Sequence, residues 1–192
     1  MPNWCENKLT IRGKKEDLLN FLKKHYVVSN TSHGCDYLDF NTIIPEPKTI
    51  DDCELDYIIP QGEDRHLAHE EGREWFDWYS WHCHKWGTKW NSTNAFACDP
   101  EDILRESLTE ITIWFDTAWS PCIPIINTLI DMYPNLKFDY CFFEPGMWFG
   151  GRITYSDEGV YYLEDYDDAT LKQFSIDEHF MCQEYYDELE EE

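Results

Sequence analysis

The spacing of apolar side chains predicts a strand and a helix at the start of the chain. Residues 8–12 alternate apolar and polar side chains and end at Gly13, which is the pattern of a half-buried strand. Leu18, Phe21 and Leu22 then fall on one face of a predicted helix over 14–26. From about residue 27 to residue 61 this periodicity is lost and prolines interrupt the chain, so an insertion is predicted there, with short extended pieces such as 40–44.

The remaining pattern predicts more strands than helices. A helix rich in aromatic residues is predicted over 66–86, and a short helix is predicted to begin at Asp99. Another helix, capped by Ser120 and Pro121, is predicted to run to about residue 133. Strands are predicted over 93–98, 110–117, 136–144, 148–155 and 160–164. This order fits an α+β fold: a ferredoxin-like antiparallel sheet with helices packed on one face. We expect a domain over 1–165 with an insertion at about 27–90, then an acidic C-terminal helix or tail over 166–192.

Charge narrows the function classes. The 192 residues include 39 Asp plus Glu against 15 Lys plus Arg, a formal net charge of −24. Because affinity for duplex nucleic acid comes from Lys and Arg that replace counterions, direct DNA binding is not expected. An anionic membrane surface would repel the chain for the same reason. Aromatic residues make up 17% of the sequence, which excludes a disordered acidic polymer.

The cysteines and the N-terminus indicate a reducing compartment. Eight cysteines are spread along the chain without a CxxC pair, and no basic segment followed by an apolar run opens the sequence. We therefore expect reduced, mostly buried thiols in a cytoplasmic protein, although the even count leaves disulfides as an alternative.

Four segments carry a resemblance to a known family. The start of the chain, MPNWCENKLTI at 1–11, resembles the start of the YubB ferredoxin-like domain family of plasmid- and phage-encoded proteins. Three further segments are similar to motifs of that family: WGTKW at 86–90, FDTAWSP at 115–121, and EPG at 144–146 with FGG at 149–151. The match runs in order from residue 1 to about 165. One departure is Cys122, where the family often has a second proline. The resemblance implies a ferredoxin-like core and a mobile-element origin, and it implies no known reaction.

Two clusters raise the question of small-molecule chemistry. His66 and His69, one helical turn apart, lie in the same predicted helix as His82 and His84, and a metal-dependent enzyme using this region is one alternative. We expect no metal or other cofactor, because residues two apart diverge on a helix and no HExxH motif is present. A second alternative is an aromatic pocket that binds and sequesters a nucleotide or another small ligand, formed by Trp4, Trp86, Lys89, Trp90, Trp119 and Phe149.

The distribution of acidic residues is the strongest signal for function. Residues 157–192 contain 14 Asp plus Glu and one Lys, so they hold a net −13 of the total charge. A charge run of this kind is usually a solvated face, but clustered carboxylates can also imitate phosphate spacing. The leading hypothesis is a non-enzymatic phage or plasmid protein that antagonises a host nucleic-acid-handling defence complex of the CRISPR or restriction type. Its expected partner-binding residues are Asp165, Asp167, Asp168, Asp177, Glu178, Glu184, Asp187, Glu188, Glu190 and Glu191.

Overall fold

A computed structural model of the chain describes residues 3–29, 34–47, 78–97, 108–156, 159–163 and 167–186, and at 156 and over 159–163 it describes the backbone alone. Along the chain these residues form β1 (Trp4–Arg12), α1 (Lys15–His25), β2 (Tyr26–Val27), β3 (Tyr37–Leu38), a 3-10 turn (Phe40–Thr42), α2 (Trp78–Lys85), β4 (Thr93–Ala97), β5 (Glu110–Ala118), α3 (Ile123–Met132), β6 (Lys137–Glu144), β7 (Phe149–Ser156), β8 (Gly159–Leu163) and α4 (Asp168–Asp177). In these ranges no helix is long and apolar enough to cross a membrane.

Six strands form one antiparallel sheet in the order β4-β5-β1-β6-β7-β8. The central strand β1 alternates as the sequence predicts, with Cys5, Asn7 and Leu9 buried on one face and Glu6 and Lys8 on the other. A second, two-stranded sheet joins β2 to β3 in the insertion. The predicted ferredoxin-like α+β architecture is confirmed.

The helices α1 and α3 pack on the first face of the sheet. Helix α1 buries Leu18, Phe21 and Leu22, and α3 buries an apolar stripe that includes Ile126 and Leu129. These side chains share one core with the inward residues of the sheet strands. This face therefore holds the large apolar core that the sequence pattern predicts.

The opposite face is covered by α4, a contact that the sequence analysis did not anticipate. Leu171 and Phe174 of this helix, with Phe180 after it, pack against Cys141 and Phe143 of β6. A Cβ atom at Gly150 would lie 2.9 Å from the Phe142 carbonyl oxygen and 3.0 Å from Leu171, so this glycine allows the close approach. The proposed domain division at residue 165 stays a prediction, but residues 167–186 are packed on the sheet.

Several local predictions are wrong or lie outside the described residues. The predicted extended piece at 40–44 contains the 3-10 turn, which Asp39 caps by accepting a 3.1 Å hydrogen bond from the Asn41 N–H. Ser120 does not cap α3, which begins at Ile123 after Cys122. The predicted helix over 66–86 is described from Trp78 to Lys85, and residues 66–77 and the helix predicted at Asp99 lie outside the described residues.

Candidate functional site at one end of the sheet

The antiparallel pairing of β1 with β5 brings two of the sequence motifs together. Trp4 lies opposite Ala118, and the Trp119 N–H donates a 3.0 Å hydrogen bond to the Asn3 carbonyl. The start of the chain and the FDTAWSP motif therefore meet at one end of the sheet, although more than 100 residues separate them in sequence.

The WGTKW motif joins the same end through two side-chain hydroxyl groups. The Thr88 hydroxyl donates a 2.9 Å hydrogen bond to the Ala118 carbonyl, and the Ser120 hydroxyl donates one of 2.6 Å to the Gly87 carbonyl. Gly87 has φ of +81°, and a Cβ atom there would lie 2.9 Å from the Pro121 carbonyl oxygen. This connection therefore requires glycine.

The fourth motif, EPG, contacts the first. The Glu144 carboxylate accepts hydrogen bonds from the N–H groups of Gly146 (2.9 Å) and Met147 (2.5 Å). Gly146 approaches the Asn3 side chain so closely that an added Cβ would lie 2.6 Å from Asn3 Nδ2. All four segments that carry the family resemblance thus converge at this end of the sheet.

A buried hydrogen-bond network lies beneath the converging motifs. The Asn7 amide group donates to the Phe115 carbonyl at 3.1 Å and to the Thr117 hydroxyl at 3.0 Å. The Tyr140 hydroxyl donates to Asn7 Oδ1 at 2.5 Å and accepts from the Cys122 N–H at 3.2 Å. Because buried polar groups are costly when unpaired, this network couples β1, β5, β6 and the start of α3.

Cys5 in the first motif and Cys122, directly after the third, are buried. The prediction of mostly buried thiols is nevertheless wrong for half of the six described cysteines, because Cys35, Cys83 and Cys182 are exposed. Burial raises the pKa of the Cys122 thiol to about 12 and raises the pKa of Cys5 well above its usual range. Both are therefore uncharged thiols at neutral pH, and the thiolate is the nucleophilic form of cysteine. Burial also raises the pKa of the Tyr140 phenol, which stays protonated as the hydrogen-bond donor of the network.

An aromatic–lysine surface, consisting of Trp4, Tyr79, Lys89 and Trp90, lies above the network. The Lys89 ammonium is 4.7 Å from the Trp90 ring centroid and 5.6 Å from that of Tyr79, and the Trp4 and Trp90 centroids are 6.3 Å apart. Tyr79 is 48% exposed and Trp90 is 38% exposed. Aromatic faces beside a cation and open to solvent can bind a planar or anionic group.

The structure brings together only part of the predicted aromatic pocket. Trp86 is buried, stacks on His82 at 3.9 Å and donates a 2.9 Å hydrogen bond to the Ile44 carbonyl, so it belongs to the core. Phe149 is half-buried and packs against Phe142. Trp119 is exposed at the same end of the sheet, with φ of +73°. Tyr79 is not among the predicted pocket residues, and no spacing in the sequence indicates its contact with Lys89.

The acidic residues predicted to bind a partner have different environments. Glu178 pairs with Lys8 at 3.0 Å and with Arg152 at 3.1 Å, so it anchors the segment to the sheet. Asp167 caps α4 through a 2.7 Å hydrogen bond from the Thr170 N–H. Four of the described set are exposed, namely Asp167, Asp168, Asp177 and Glu184, and of these Asp167 is engaged as the helix cap. Asp165, Asp187, Glu188, Glu190 and Glu191 lie outside the described residues.

A pair of carboxylates that the sequence analysis missed lies between β1 and β5. Glu6 and Asp116 are direct cross-strand neighbours, and burial raises the pKa of both groups, with the charge of Asp116 adding to the rise at Glu6. The Asn94 amide donates a 2.9 Å hydrogen bond to Asp116. The two-residue period of each strand places both carboxylates on the second face of the sheet. Which residue of β5 lies opposite Glu6 depends on the register between the strands, which the whole sheet sets.

Of the four histidines in the predicted metal-binding region, the described residues include His82 and His84. His82 Nδ1 lies 2.8 Å from the Lys89 carbonyl oxygen, and its Nε2 lies 3.5 Å from a Glu46 carboxylate oxygen. His84 is exposed on the next turn of α2, whereas His66 and His69 lie outside the described residues. Within the described ranges no group of three potential metal ligands is present.

The geometry defines a ferredoxin-like sheet whose four motif segments meet at one end, above a buried polar network. The sequence profile described as "Ferredoxin-like domain in Api92-like protein" matches residues 85–188, which is more than half of the chain and includes α4. The chain therefore belongs to the Api92-like family. The crystal structure of a protein api92 from Yersinia pseudotuberculosis is similar over 87% of this chain and 99% of that chain, with 12% identity and a TM-score of 0.49. No curated protein matches.

Proposed function

We propose that this chain is a non-enzymatic binding protein that engages a nucleic-acid-handling protein through carboxylates of its C-terminal segment. The observation that carries the proposal is the fixed position of residues 167–186. Leu171 and Phe174 bury α4 against the sheet, and Glu178 pairs with Lys8 and Arg152. Carboxylates on a docked helix keep a constant spacing, which an imitation of phosphate groups requires.

The residues that would contact the partner are the acidic side chains that face solvent. Asp168, Asp177 and Glu184 are exposed. Glu178 is not proposed to contact the partner, because its ion pair with Arg152 holds α4 on the sheet. The net −13 of residues 157–192 would attract a basic groove over several ångströms and accelerate association. The partner class is therefore a protein with a nucleic-acid groove.

The narrower form of the proposal places this partner in host defence. A relationship to the YubB family, which the motif resemblance suggests, would give the chain a phage or plasmid origin. A CRISPR effector or a restriction enzyme then has the required basic groove, and the chain would act in the host cytoplasm. Such complexes depend on nucleic acid for activity, so occupation of the groove is sufficient for inhibition.

A charge-reversal pair tests the proposal with a matched control. Asp177→Lys combined with Glu184→Lys changes the charge by the same amount as Glu16→Lys combined with Asp131→Lys, whose parent residues are exposed on α1 and α3 over the other face. We expect the first pair to abolish, and the second to preserve, inhibition of DNA cleavage by purified host effectors. Wild-type inhibition should weaken as salt rises from about 0.05 to about 0.3 M. Inhibition that ignores salt and survives reversal at Asp177 and Glu184 would contradict the proposal.

A second candidate function is small-ligand binding at the aromatic–lysine surface. The observation that favours it is the position of the Lys89 ammonium near two exposed rings, 4.7 Å from Trp90 and 5.6 Å from Tyr79. A nucleotide would stack its base on such rings and place a phosphate near the ammonium group.

Tryptophan fluorescence tests this second candidate. Titration with nucleoside mono- and diphosphates should quench the wild type, and Lys89→Ala should remove the effect. Lys24→Ala is the matched control, because the Lys24 ammonium also lies near an aromatic ring, 5.9 Å from that of Tyr133, on another part of the molecule. Equal quenching in both lysine variants would exclude Lys89 from the binding site.

A further inference from the structure

A separate cavity of about 480 Å³ lies on the second face of the sheet, between the turn after β6 and the start of α4. Its size falls in the usual range for small-molecule sites. The lining includes Pro145, Trp148, Asp168, Lys172, Tyr185 and Tyr186. None of these residues belongs to the aromatic–lysine surface.

Three aromatic side chains form the walls of this cavity. The rings of Trp148 and Tyr186 meet edge to face at 6.1 Å between centroids, and Tyr185 meets Tyr186 at 5.5 Å. The Tyr186 hydroxyl shares a 2.6 Å hydrogen bond with the Ser175 hydroxyl, which fixes this ring. Tyr185 is 42% exposed and borders the solvent side. The walls are therefore mutually oriented before any ligand enters.

Trp148 reaches the cavity from a strained backbone. Its φ is +57°, in the left-handed region that a bulky residue rarely adopts. The preceding turn is held by the Glu144 carboxylate, which accepts hydrogen bonds from the Gly146 and Met147 N–H groups. Strain of this kind is found where surrounding structure holds a side chain in a working position.

The charges around the cavity favour a cationic ligand. The Lys172 ammonium already lies 4.9 Å from the Tyr186 ring centroid, which shows that this ring face accepts a cation. Asp168 adds a carboxylate to the lining, and Glu184 is the residue before Tyr185. An anion would meet Lys172 and the first turn of α4, but it would approach through the field of a chain with net charge −24.

We propose that the cavity formed by Trp148, Tyr185, Tyr186 and Asp168 binds a methylated ammonium group. Aromatic rings recognise such a group by cation–π attraction and a carboxylate completes its neutralisation. The same chemical group occurs in free choline and in a trimethylated lysine side chain. The inference goes beyond the function proposed above: the two share Asp168, but the aromatic walls of the cavity have no part in the carboxylate surface.

Calorimetric titration of the full chain with choline tests the site, with 3,3-dimethylbutan-1-ol as the uncharged isostere. We expect choline to bind and the alcohol not to bind. Tyr185→Leu should weaken choline binding by about tenfold, whereas Tyr185→Phe keeps the ring and should preserve it. Tyr79→Leu, at a tyrosine of similar exposure outside the cavity, should have no effect. Equal binding of choline and the alcohol, or no binding of choline or of a trimethyllysine peptide, would overturn the proposal.

Lys172→Met separates a cation site from an anion site. Because Lys172 lies over a cavity wall, removal of its charge should strengthen choline binding by several fold. An anion site would instead lose its ligand. A decrease in choline affinity in this variant, with the fold intact by circular dichroism, would therefore contradict the proposal. A trimethyllysine peptide that binds more tightly than choline would identify a protein source of the group, and the reverse order would identify a free ligand.

Discussion

Tyr140→Phe is the most direct test of the network that holds the four motifs together. The substitution removes one oxygen atom and keeps the ring, which is fully buried in the core. It deletes the two short hydrogen bonds of the hydroxyl, one to Asn7 Oδ1 at 2.5 Å and one from the Cys122 N–H at 3.2 Å, together with a weaker 3.6 Å contact to Cys122 Sγ. Phenylalanine fills nearly the same volume, so the change isolates the polar contribution.

The expected loss of stability follows from the two groups left behind. Asn7 Oδ1 and the Cys122 N–H are both buried, and an unsatisfied buried group costs about 1–3 kcal/mol. The 3.2 Å bond is the weaker of the two, so we expect a total loss of about 2–4 kcal/mol. That is a large share of the roughly 5–15 kcal/mol that stabilises a typical domain.

Urea unfolding followed by tryptophan fluorescence measures this loss. The midpoint should fall while the m-value stays unchanged, because the buried surface is the same. Tyr185→Phe is the control, since Tyr185 is 42% exposed and the hydroxyl of an exposed side chain contributes little. A loss below about 1 kcal/mol for Tyr140→Phe would refute the reasoning, because it would mean that water or another group satisfies both partners.

Three further predictions concern the core and the docked segment. Burial lowers the pKa of His25 to about 4, so the unfolded chain binds the proton more tightly than the folded one. The free energy of unfolding should therefore fall by about 3 kcal/mol as pH drops from about 6.5 to about 4. Subtraction of the same pH series measured for His25→Gln isolates this contribution. Gly87→Ala should lower the free energy of unfolding by about 2 kcal/mol or more, measured in urea, because of the positive φ and the nearby Pro121 carbonyl. Glu178→Gln should accelerate amide hydrogen exchange across α4 relative to α1, because both ion pairs to the sheet are lost.

The sheet could be predicted from sequence because its strands bury alternate residues. β5 is Glu110–Ala118 where the pattern predicts 110–117, and β6 is Lys137–Glu144 where it predicts 136–144. The start of α3 was missed because the Ser120 hydroxyl, a standard capping group, instead donates to the Gly87 carbonyl. The Ser120 hydroxyl thus bonds a residue 33 positions away and not the helix next to it, and sequence spacing does not predict such a long-range contact.

The candidate site was predictable by residue type but not by environment. Trp4, Lys89 and Trp90 do meet, whereas Trp86 has the same composition signal and lies in the core. Tryptophan fits both environments, so only the packing distinguishes them. The same limit applies to the acidic segment, because Glu178 is one carboxylate among many in sequence and becomes an anchor only beside Arg152.

The docking of α4 on the sheet and the proposed binding of a partner by its carboxylates should respond differently to salt. Residues 167–186 hold five Asp plus Glu against one Lys and pack on the sheet of a chain with net charge −24, so long-range repulsion opposes docking. The apolar contacts of Leu171 and Phe174 and the ion pairs of Glu178 favour it. Added salt screens the long-range repulsion and leaves apolar burial intact. We therefore expect α4 to stay docked at salt concentrations that release a groove-binding partner. Slow amide hydrogen exchange across α4 would show that it is docked. Loss of both together would mean that partner binding depends on docking rather than on complementary charge.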